Sequence, residues 1–545
     1  MRTFTHCLLL VLTAMSAESA ADNLVMGDAL LLRLEILGEA EKPAIDDTEI
    51  VSAELLADIY SELDFEPVWS DAERIERWLG IIDAARDDGF DAVDFHYNAV
   101  RGIRAELLSG KAIPPERRAE IDLIVTDSLI RLAYSENFGK INPYELDTRW
   151  NYRRENRNDS AAEALANLLR AASPGDELQQ YMVRPPFYKA LRAAYIEYRD
   201  IVADGGWPEV PAGNTIRPGD SDPRIPVIAE RLEITGDIDD AGLVADTFDD
   251  RLEVGVRRFQ ARHSLTADGV IGPGTLAAMN VPASERLETI RINLERLRWL
   301  ADDFEDDMVI VNIAGFEAYL LKGGEAIWGT RVQVGRTYRQ TPIFRDEITY
   351  LSINPTWTAP HSLATRDVLP RIQADPSYVV ERGFDVRDRN GNNVDPATID
   401  WDSLSRNNFP YTLVQRPGPY NAMGQVKFMF PNGYSVYLHD TPSRYLFERE
   451  ARAFSAGCIR TERPFELAEL LLGPQGWDQA RIQEVLDSGK LTNVVLETPM
   501  PVLLTYFTAR VNDDGTLVFF PDVYDRDKHV AAGLAAPFRF EPPAD

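Results

Sequence analysis

Tyr437-Leu438-His439-Asp440-Thr441-Pro442, followed after a spacer by Ala453-Phe454-Ser455-Ala456-Gly457-Cys458-Ile459-Arg460-Thr461, decides how this chain is read. Cys458 is the only cysteine beyond Cys7. A lone thiol forms no internal disulfide, so it is either buried and inert or kept because it reacts. Upstream, Val426-Lys427-Phe428-Met429-Phe430 and Tyr434-Ser435-Val436-Tyr437-Leu438 flank Pro431-Asn432-Gly433, and Asn-Gly between two β-rich runs predicts a hairpin. The second strand is expected to end at His439, with Ser435, Tyr437 and His439 on one face. Gly457 lets the backbone turn tightly beside the sulfur. A helix is expected next, because Phe465, Ala468, Leu471 and Leu472 recur at helical spacing up to Gly473. Its dipole and the charge of Arg460 are then expected to favour the thiolate. A Cys–His pair is the minimum for nucleophilic acyl transfer: the imidazole takes the proton, the thiolate attacks a carbonyl and nearby N–H groups hold the oxyanion. By spacing alone, a buried cysteine beside a hairpin histidine fits the same residues.

The order of these residues is more specific than their chemistry. His439-Asp440-Thr441 followed by Ser455-Ala456-Gly457-Cys458-Ile459-Arg460 resembles the signature of the YkuD-type L,D-transpeptidases, His-x-x through Ser-x-Gly-Cys-[Ile/Val]-Arg. Six signature positions match in order, and the separation of 19 residues between His439 and Cys458 fits as well. The resemblance implies that Cys458 attacks the amide after the L-centre of a diamino acid in a peptidoglycan tetrapeptide. D-Ala leaves, a thioester forms, and the side-chain amine of a second stem resolves it into a 3→3 cross-link. The implied partners are a donor tetrapeptide and an acceptor stem, the implied process is cell wall biogenesis and cell shape, and no cofactor is called for.

Composition sets the outer limits. The chain has 545 residues, too many for one core, so two to four domains are expected. Hydrophobic content of 45% and aromatic content of 10% describe a globular protein. The net charge is −31, from 57 basic and 88 acidic residues. That balance argues against nucleic acid and anionic membrane surfaces, both of which require a basic footprint. The short runs Asp249-Asp250, Asp302-Asp303 and Asp306-Asp307 read as solvated faces, and no Asp-x-Asp-x-Asp-Gly calcium loop occurs. Residues 1–21 read as a signal peptide: Arg2 is basic, Cys7-Leu8-Leu9-Leu10-Val11-Leu12 is the apolar run, and Ala17 to Ala21 supply small residues for cleavage. No later stretch reaches eighteen apolar residues, so an exported, periplasmic protein without a membrane span is expected.

The expected fold class is multidomain α+β: a mostly helical N-terminal half, a small three-helix module and a mainly β catalytic domain with an inserted lid. Residues 22–205 form the helical scaffold, on apolar repeats such as those in Val51 to Tyr60, Ile75 to Ala85 and Ile121 to Tyr134. Trp69, His96 and Trp150 are read there as packing residues. Leu123 to Ser128 and Gly139 to Pro143 resemble the scaffold of the large, lidded members of the family. After the breakers of Gly205 to Pro211 and Arg217 to Asp220, residues 222–282 resemble a peptidoglycan-binding module. Phe259-Gln260 and Asp268-Gly269-Val270-Ile271-Gly272 carry that resemblance, and Val254, Phe259 and Leu276 are its expected core. Whether the module binds glycan or braces the fold stays open. Residues 283–305 are a linking helix with Leu287, Ile290, Leu294 and Leu297 on one stripe.

The catalytic domain is placed at 306–530, on strands near Met308 to Ile313, Tyr319 to Leu321, Thr330 to Gly335 and Ile348 to Ile353, as a β-sandwich or barrel-like sheet. Strand rhythm is lost from Pro360 to about Tyr411, which resembles the family's lid; the lid is placed at about 360–411. Such a lid shields a thioester from hydrolysis. Val502 to Val511 and Leu517 to Phe520 are expected to complete the sheet, and 531–545 to form a loose tail.

Cys458 is the expected nucleophile and His439 its base; His361 has no thiol near it in sequence. Asp440 follows His439 directly and points to the other face, so a backbone carbonyl is the expected orienter. The N–H groups of Gly457 and Cys458, with the Tyr437 hydroxyl, are the expected oxyanion donors. Ser455 and Arg460 shape the loop or meet substrate, and Lys427 is structural or meets a substrate carboxylate. Three other readings compete: an L,D-carboxypeptidase or cysteine hydrolase of wall peptides, a zinc peptidase, and a non-catalytic wall-binding scaffold. Papain-like wall peptidases run Cys then His, the reverse of this chain. Zinc requires about three clustered ligands, and no His-x-His or His-Glu-x-x-His occurs. Covalent labelling of Cys458 by a carbapenem, read by intact-protein mass, separates the enzyme from the scaffold: the enzyme gains the adduct and Cys458→Ala does not.

Overall fold

The computed structural model describes residues 25–147, 150–152, 160–181, 186–239 and 246–541. The expected signal peptide lies outside the described residues. Helices dominate from residue 25 to 203. Their centre is α1, Pro115–Phe138, begun by a proline at its first turn and buried on nearly every side. It turns polar side chains inward, and buried carboxylates persist only where their oxygens find donors. Asp122 accepts from the Tyr60 hydroxyl at 2.7 Å and from the Val68 and Trp69 N–H groups at 2.8 and 3.0 Å. Asp127 accepts from Ser52 at 2.5 Å, His96 at 2.7 Å and Arg131 at 2.7 Å. His96 and Trp69 are therefore packing residues, and Trp150 packs edge-on against Trp299.

The small module has three helices, Ile225–Ile234, Asp250–Arg262 and Pro273–Met279. Ile228, Leu232, Phe248, Leu252, Val256 and Phe259 fill its core. Val254 does not: it is half exposed, because the helical period turns Leu252, Val256 and Phe259 inward and leaves Val254 on the far side.

The helix expected only to link is a hub. After α2, Pro186–Ala203, comes α3, Ala283–Trp299, whose stripe of Leu287, Ile290, Leu294 and Leu297 packs on α2 and the C-terminal hairpin. Its other faces are buried too. Glu295 accepts from the Ile141 N–H at 2.8 Å, Arg298 at 2.9 Å and the Trp299 indole at 3.1 Å. Arg298 also donates to the Tyr188 hydroxyl and the Asp88 carbonyl. Asn293 and Arg296 donate to Thr508.

Nine strands build the catalytic sheet: β1 Met308–Asn312, β2 Glu317–Lys322, β3 Glu325–Gly335, β4 Phe344–Ile353, β5 Val426–Met429, β6 Leu438–His439, β7 Ala453–Ser455, β8 Ile459–Thr461 and β9 Thr492–Thr505. The order is β7-β3-β8-β6-β5-β4-β9-β1-β2, and β2 also pairs with β3, which closes the sheet into a ring. Alternate rows divide the labour. Val494, Leu351, Phe428, Leu438 and Ile459 lie opposite one another and are buried in the core. The next row is polar: Asn493, Ser352, Lys427, His439, Arg460 and Gln333.

Four expectations change. The stretch 360–411 is not strandless: its Phe384–Arg387 and Asn393–Val394 join the flanking Trp357–Thr358 and Thr412–Gln415 in a second sheet with its own apolar core around Ile372, Val379, Trp401 and Leu413. Ala509–Val511 and Leu517–Phe519 pair only with each other and leave the main sheet, because Asn312 and Asn293 capture the N–H groups of Phe507 and Thr508 at 2.9 Å. The tail is fastened through residue 541: Phe538 is buried against Tyr134, whose hydroxyl donates to the Glu541 carbonyl at 2.7 Å. Asp303 is fully buried beside Arg345 rather than solvated.

Removing one partner of a buried ion pair leaves the other charge unpaired, at about 3–5 kcal/mol. Arg298→Met should therefore lower the unfolding free energy read from a urea titration by that much, and adding Glu295→Gln should restore part of it.

Candidate active site

The site grows from the polar row. β6 and β8 run parallel, with Leu438 opposite Ile459 and His439 opposite Arg460. Cys458 thus precedes the paired residues on one strand while His439 ends the other. Lys427 flanks His439 from β5, and Gln333 accepts from Arg460 at 3.1 Å. His439 is buried and is held by its own chain: Nδ1–H donates to the Asp440 carbonyl at 2.5 Å. A carbonyl only accepts, so the proton sits on Nδ1 and Nε2 carries the lone pair. The Asp440 carboxylate points away, accepting from the Gln425 N–H at 2.9 Å and from Arg444 at 2.8 Å.

The loop before Cys458 is framed by hydroxyls. Ser455 Oγ accepts from the Gly457 N–H at 3.0 Å and donates to the Cys458 carbonyl at 2.5 Å. Thr341 Oγ1 donates to the Gly457 carbonyl at 2.8 Å. Gly457 has φ +123°, a region in which a side chain is strained. The Gly457 N–H expected in the oxyanion pocket is thus taken by Ser455. The Cys458 N–H has no hydrogen-bond partner among the described residues.

Two further expectations are corrected. The run from Tyr434 to Leu438 is not a strand; β6 is Leu438–His439 alone. Ser435 adopts φ +56°, and Asn432 organises the loop by accepting from Tyr434 and Val436 and donating to the Phe430 and Val436 carbonyls. The Ser435 carbonyl then faces the sulfur, and the Cys458 thiol donates to it at 3.5 Å. Nor does a helix start beside Cys458. β8 follows it, and α4, Pro464–Leu472, begins beyond that strand, so its dipole, which fades within a turn, does not reach the thiol.

The charges follow. Burial pushes the half-buried Cys458 thiol up, against the Tyr437 N–H, Lys427 and Arg460, which pull it down. Burial and the neighbouring Arg460, with Lys427, push His439 down to about 3, while the Asp440 and Met423 carbonyls work the other way. The pair therefore rests neutral at pH 7. Lys427 lies 3.5 Å from the centre of the Tyr437 ring, so that ring underlies an ammonium. Neither Lys427 nor Arg460 pairs with a carboxylate among the described residues. His361 is exposed on the lid beside Phe409. Sequence reasoning missed Thr341 and Gln333; the signal for Gln333 was a polar residue set between Val332 and Val334 in an apolar strand.

Comparison with known families places this geometry. Residues 306–502 match the model of the L,D-transpeptidase catalytic domain, YkuD; 54–194 match a scaffold domain, and 222–279 match a "Putative peptidoglycan binding domain". The chain thus matches, in order, models of a scaffold domain, a "Putative peptidoglycan binding domain" and a YkuD L,D-transpeptidase catalytic domain. A Haemophilus influenzae protein described as "Putative L,D-transpeptidase" is 38% identical over 255 residues, covering 46% of this chain and 51% of that one. The chain spans about half the length of that curated relative. Among solved structures, an L,D-transpeptidase fragment from Xylanimonas cellulosilytica is 13% identical, covers 54% of this chain and 98% of its own, and has a TM-score of 0.17. The Ldtfm-avibactam carbamoyl enzyme is 13% identical, covers 37% and 49%, and has a TM-score of 0.18. Neither superposition carries an argument. No helix among the described residues is long and apolar enough to cross a membrane.

The lowered His439 pKa has a sign. Unfolded histidine titrates near 6.5. Between that value and about 3 the unfolded chain binds the extra proton, so stability is lost as pH falls through this window. His439→Gln should lose less of its urea midpoint than the wild type between pH 6.5 and pH 4. Nitrogen NMR of labelled histidines should find His439 as the neutral Nδ1–H tautomer at pH 5.

Proposed function

We propose that this protein is a peptidoglycan L,D-transpeptidase working through a Cys458 thioester. The observation that carries the reading is the parallel register of β6 and β8, which sets His439, as the Nδ1–H tautomer, beside the strand that Cys458 opens. The thiol turns from the Ser435 carbonyl toward Nε2, and His439 takes its proton as the sulfur attacks the amide carbonyl of a donor tetrapeptide. The neutral pair suits this, since the imidazolium gains its counter-charge only as thiolate forms. The Cys458 N–H receives the oxyanion, and the Tyr437 hydroxyl is the second donor we assign. The intermediate collapses to a thioester, and D-Ala leaves with the proton from His439. The side-chain amine of an acceptor stem then attacks the thioester, its proton passing to His439 and back to sulfur, to give a 3→3 cross-link.

Among the described residues Lys427 and Arg460 are cations without carboxylate partners, in a chain of net charge −31. We assign them to a carboxylate of the donor stem, held beside the reacting amide. The lid, with its own core, keeps water from the thioester; a site of this kind open to water becomes an L,D-carboxypeptidase, the second outcome of the same chemistry. The module at 222–282 meets the catalytic domain where Thr266 donates to Glu450 at 2.6 Å and Ser264 to the Phe519 carbonyl at 2.9 Å, contacts that favour bracing. Residues 1–21 direct export, and the site of action is the periplasmic wall.

Incubating tetrapeptide muropeptides with the mature protein, followed by mass spectrometry, tests this. A cross-linked dimer lacking one D-Ala is expected, absent with Cys458→Ala and reduced about 10²–10⁴-fold with His439→Ala. Tripeptide without dimer would establish hydrolysis. No change with any protein would sink the tetrapeptide donor.

A further inference from the structure

We infer that Thr341 is a positioning residue that aims the Cys458 N–H at the reacting carbonyl. The inference rests on Cys458 being the nucleophile. Four polar backbone groups belong to Gly457 and Cys458, and three are clamped. Ser455 Oγ takes the Gly457 N–H and the Cys458 carbonyl. Thr341 Oγ1 takes the Gly457 carbonyl. The Cys458 N–H remains.

That N–H shares a peptide plane with the Gly457 carbonyl. In a trans peptide the two point in opposite directions, so fixing one fixes the other. The direction of the Thr341 proton is determined as well. Gly335 N–H donates to Oγ1 at 2.9 Å, so the single hydroxyl proton serves the Gly457 carbonyl. Thr341 is fully buried, and its own backbone is pinned: its N–H donates at 3.2 Å to the Tyr524 hydroxyl, which donates at 2.6 Å to the Gly335 carbonyl. A side chain at residue 335 has no room, since a Cβ there would lie 2.1 Å from the Arg339 carbonyl oxygen. The turn from Gly335 to Thr341 is therefore a rigid bracket, and it ends on the one peptide plane whose tilt sets the oxyanion donor. Gly457, at φ +123°, does not hold that plane by its own preferences, because glycine rotates freely through this region.

Two reactions at the same sulfur separate positioning from folding. Acylation by a carbapenem passes through an oxyanion; alkylation by iodoacetamide is a displacement at carbon and forms none. With Thr341→Val, which keeps the shape and removes the hydroxyl, acylation followed by intact-protein mass should slow by about tenfold to a hundredfold. Alkylation should stay within about twofold of the wild type, and Thr341→Ser should recover acylation. Equal acylation in Thr341→Val and wild type overturns the inference. So does a parallel loss of both reactions, including through misfolding, because Thr341 then does no more than hold the loop. A wild type that is alkylated at Cys458 yet never acylated overturns the transpeptidase reading instead.

Discussion

The site depends on a parallel pairing between two very short strands. β6 contributes two residues and β8 three, and their register alone decides that His439 stands opposite Arg460, two residues along from Cys458. A one-residue slip would turn His439 into the core and Leu438 into the site. Strands this short do not hold a register by themselves. They hold it because β5 and β3 flank them and the sheet closes into a ring, so no edge is left along which they slide. The apolar row through Leu351, Phe428, Leu438 and Ile459 supplies the cohesion, and the polar row one residue on receives its placement from it.

The electrostatics follow from the same row. Two cations flank a buried imidazole, an unfavourable arrangement unless the imidazole stays neutral. These cations also face the sulfur, so they lower the energy of the thiolate while opposing the imidazolium. The site is thus biased toward negative charge developing on sulfur. It does this inside a protein whose overall charge is strongly negative.

Much of this was legible before any coordinates. The motif singled out His439 and Cys458 by residue type and spacing, and the fold sets the two segments that carry them side by side. The β-rich run from Val426 to Phe430, beside an Asn-Gly turn, marked the strand that carries Lys427. The errors have physical causes. Asn432-Gly433 reads as a two-residue turn, yet the Asn432 side chain satisfies a longer loop, and such side-chain bonds leave little trace in a pattern of hydrophobicity. Helical spacing after Cys458 was real but began only at Pro464, since three residues of strand carry no periodic signal. The lid's strands are two to four residues long, below the length at which alternation is visible. Thr341 lies far from Cys458 in sequence and reaches it only through the fold.

The fastening of residues 534–541 bears on the order in which the fold is assembled. Phe538 packs on Tyr134, Glu541 accepts from the Tyr134 hydroxyl across a separation of 407 residues, and Lys140 reaches the Leu534 carbonyl across 394. A chain made from its N-terminus lacks those partners until residues 534–541 have been made. The helical half must wait with Tyr134 and Lys140 uncovered, and contacts of such long range form slowly. Residues 534–541 thereby act as a clasp: until they are made, the helical half exposes the surface around Tyr134 and Lys140 that they later cover.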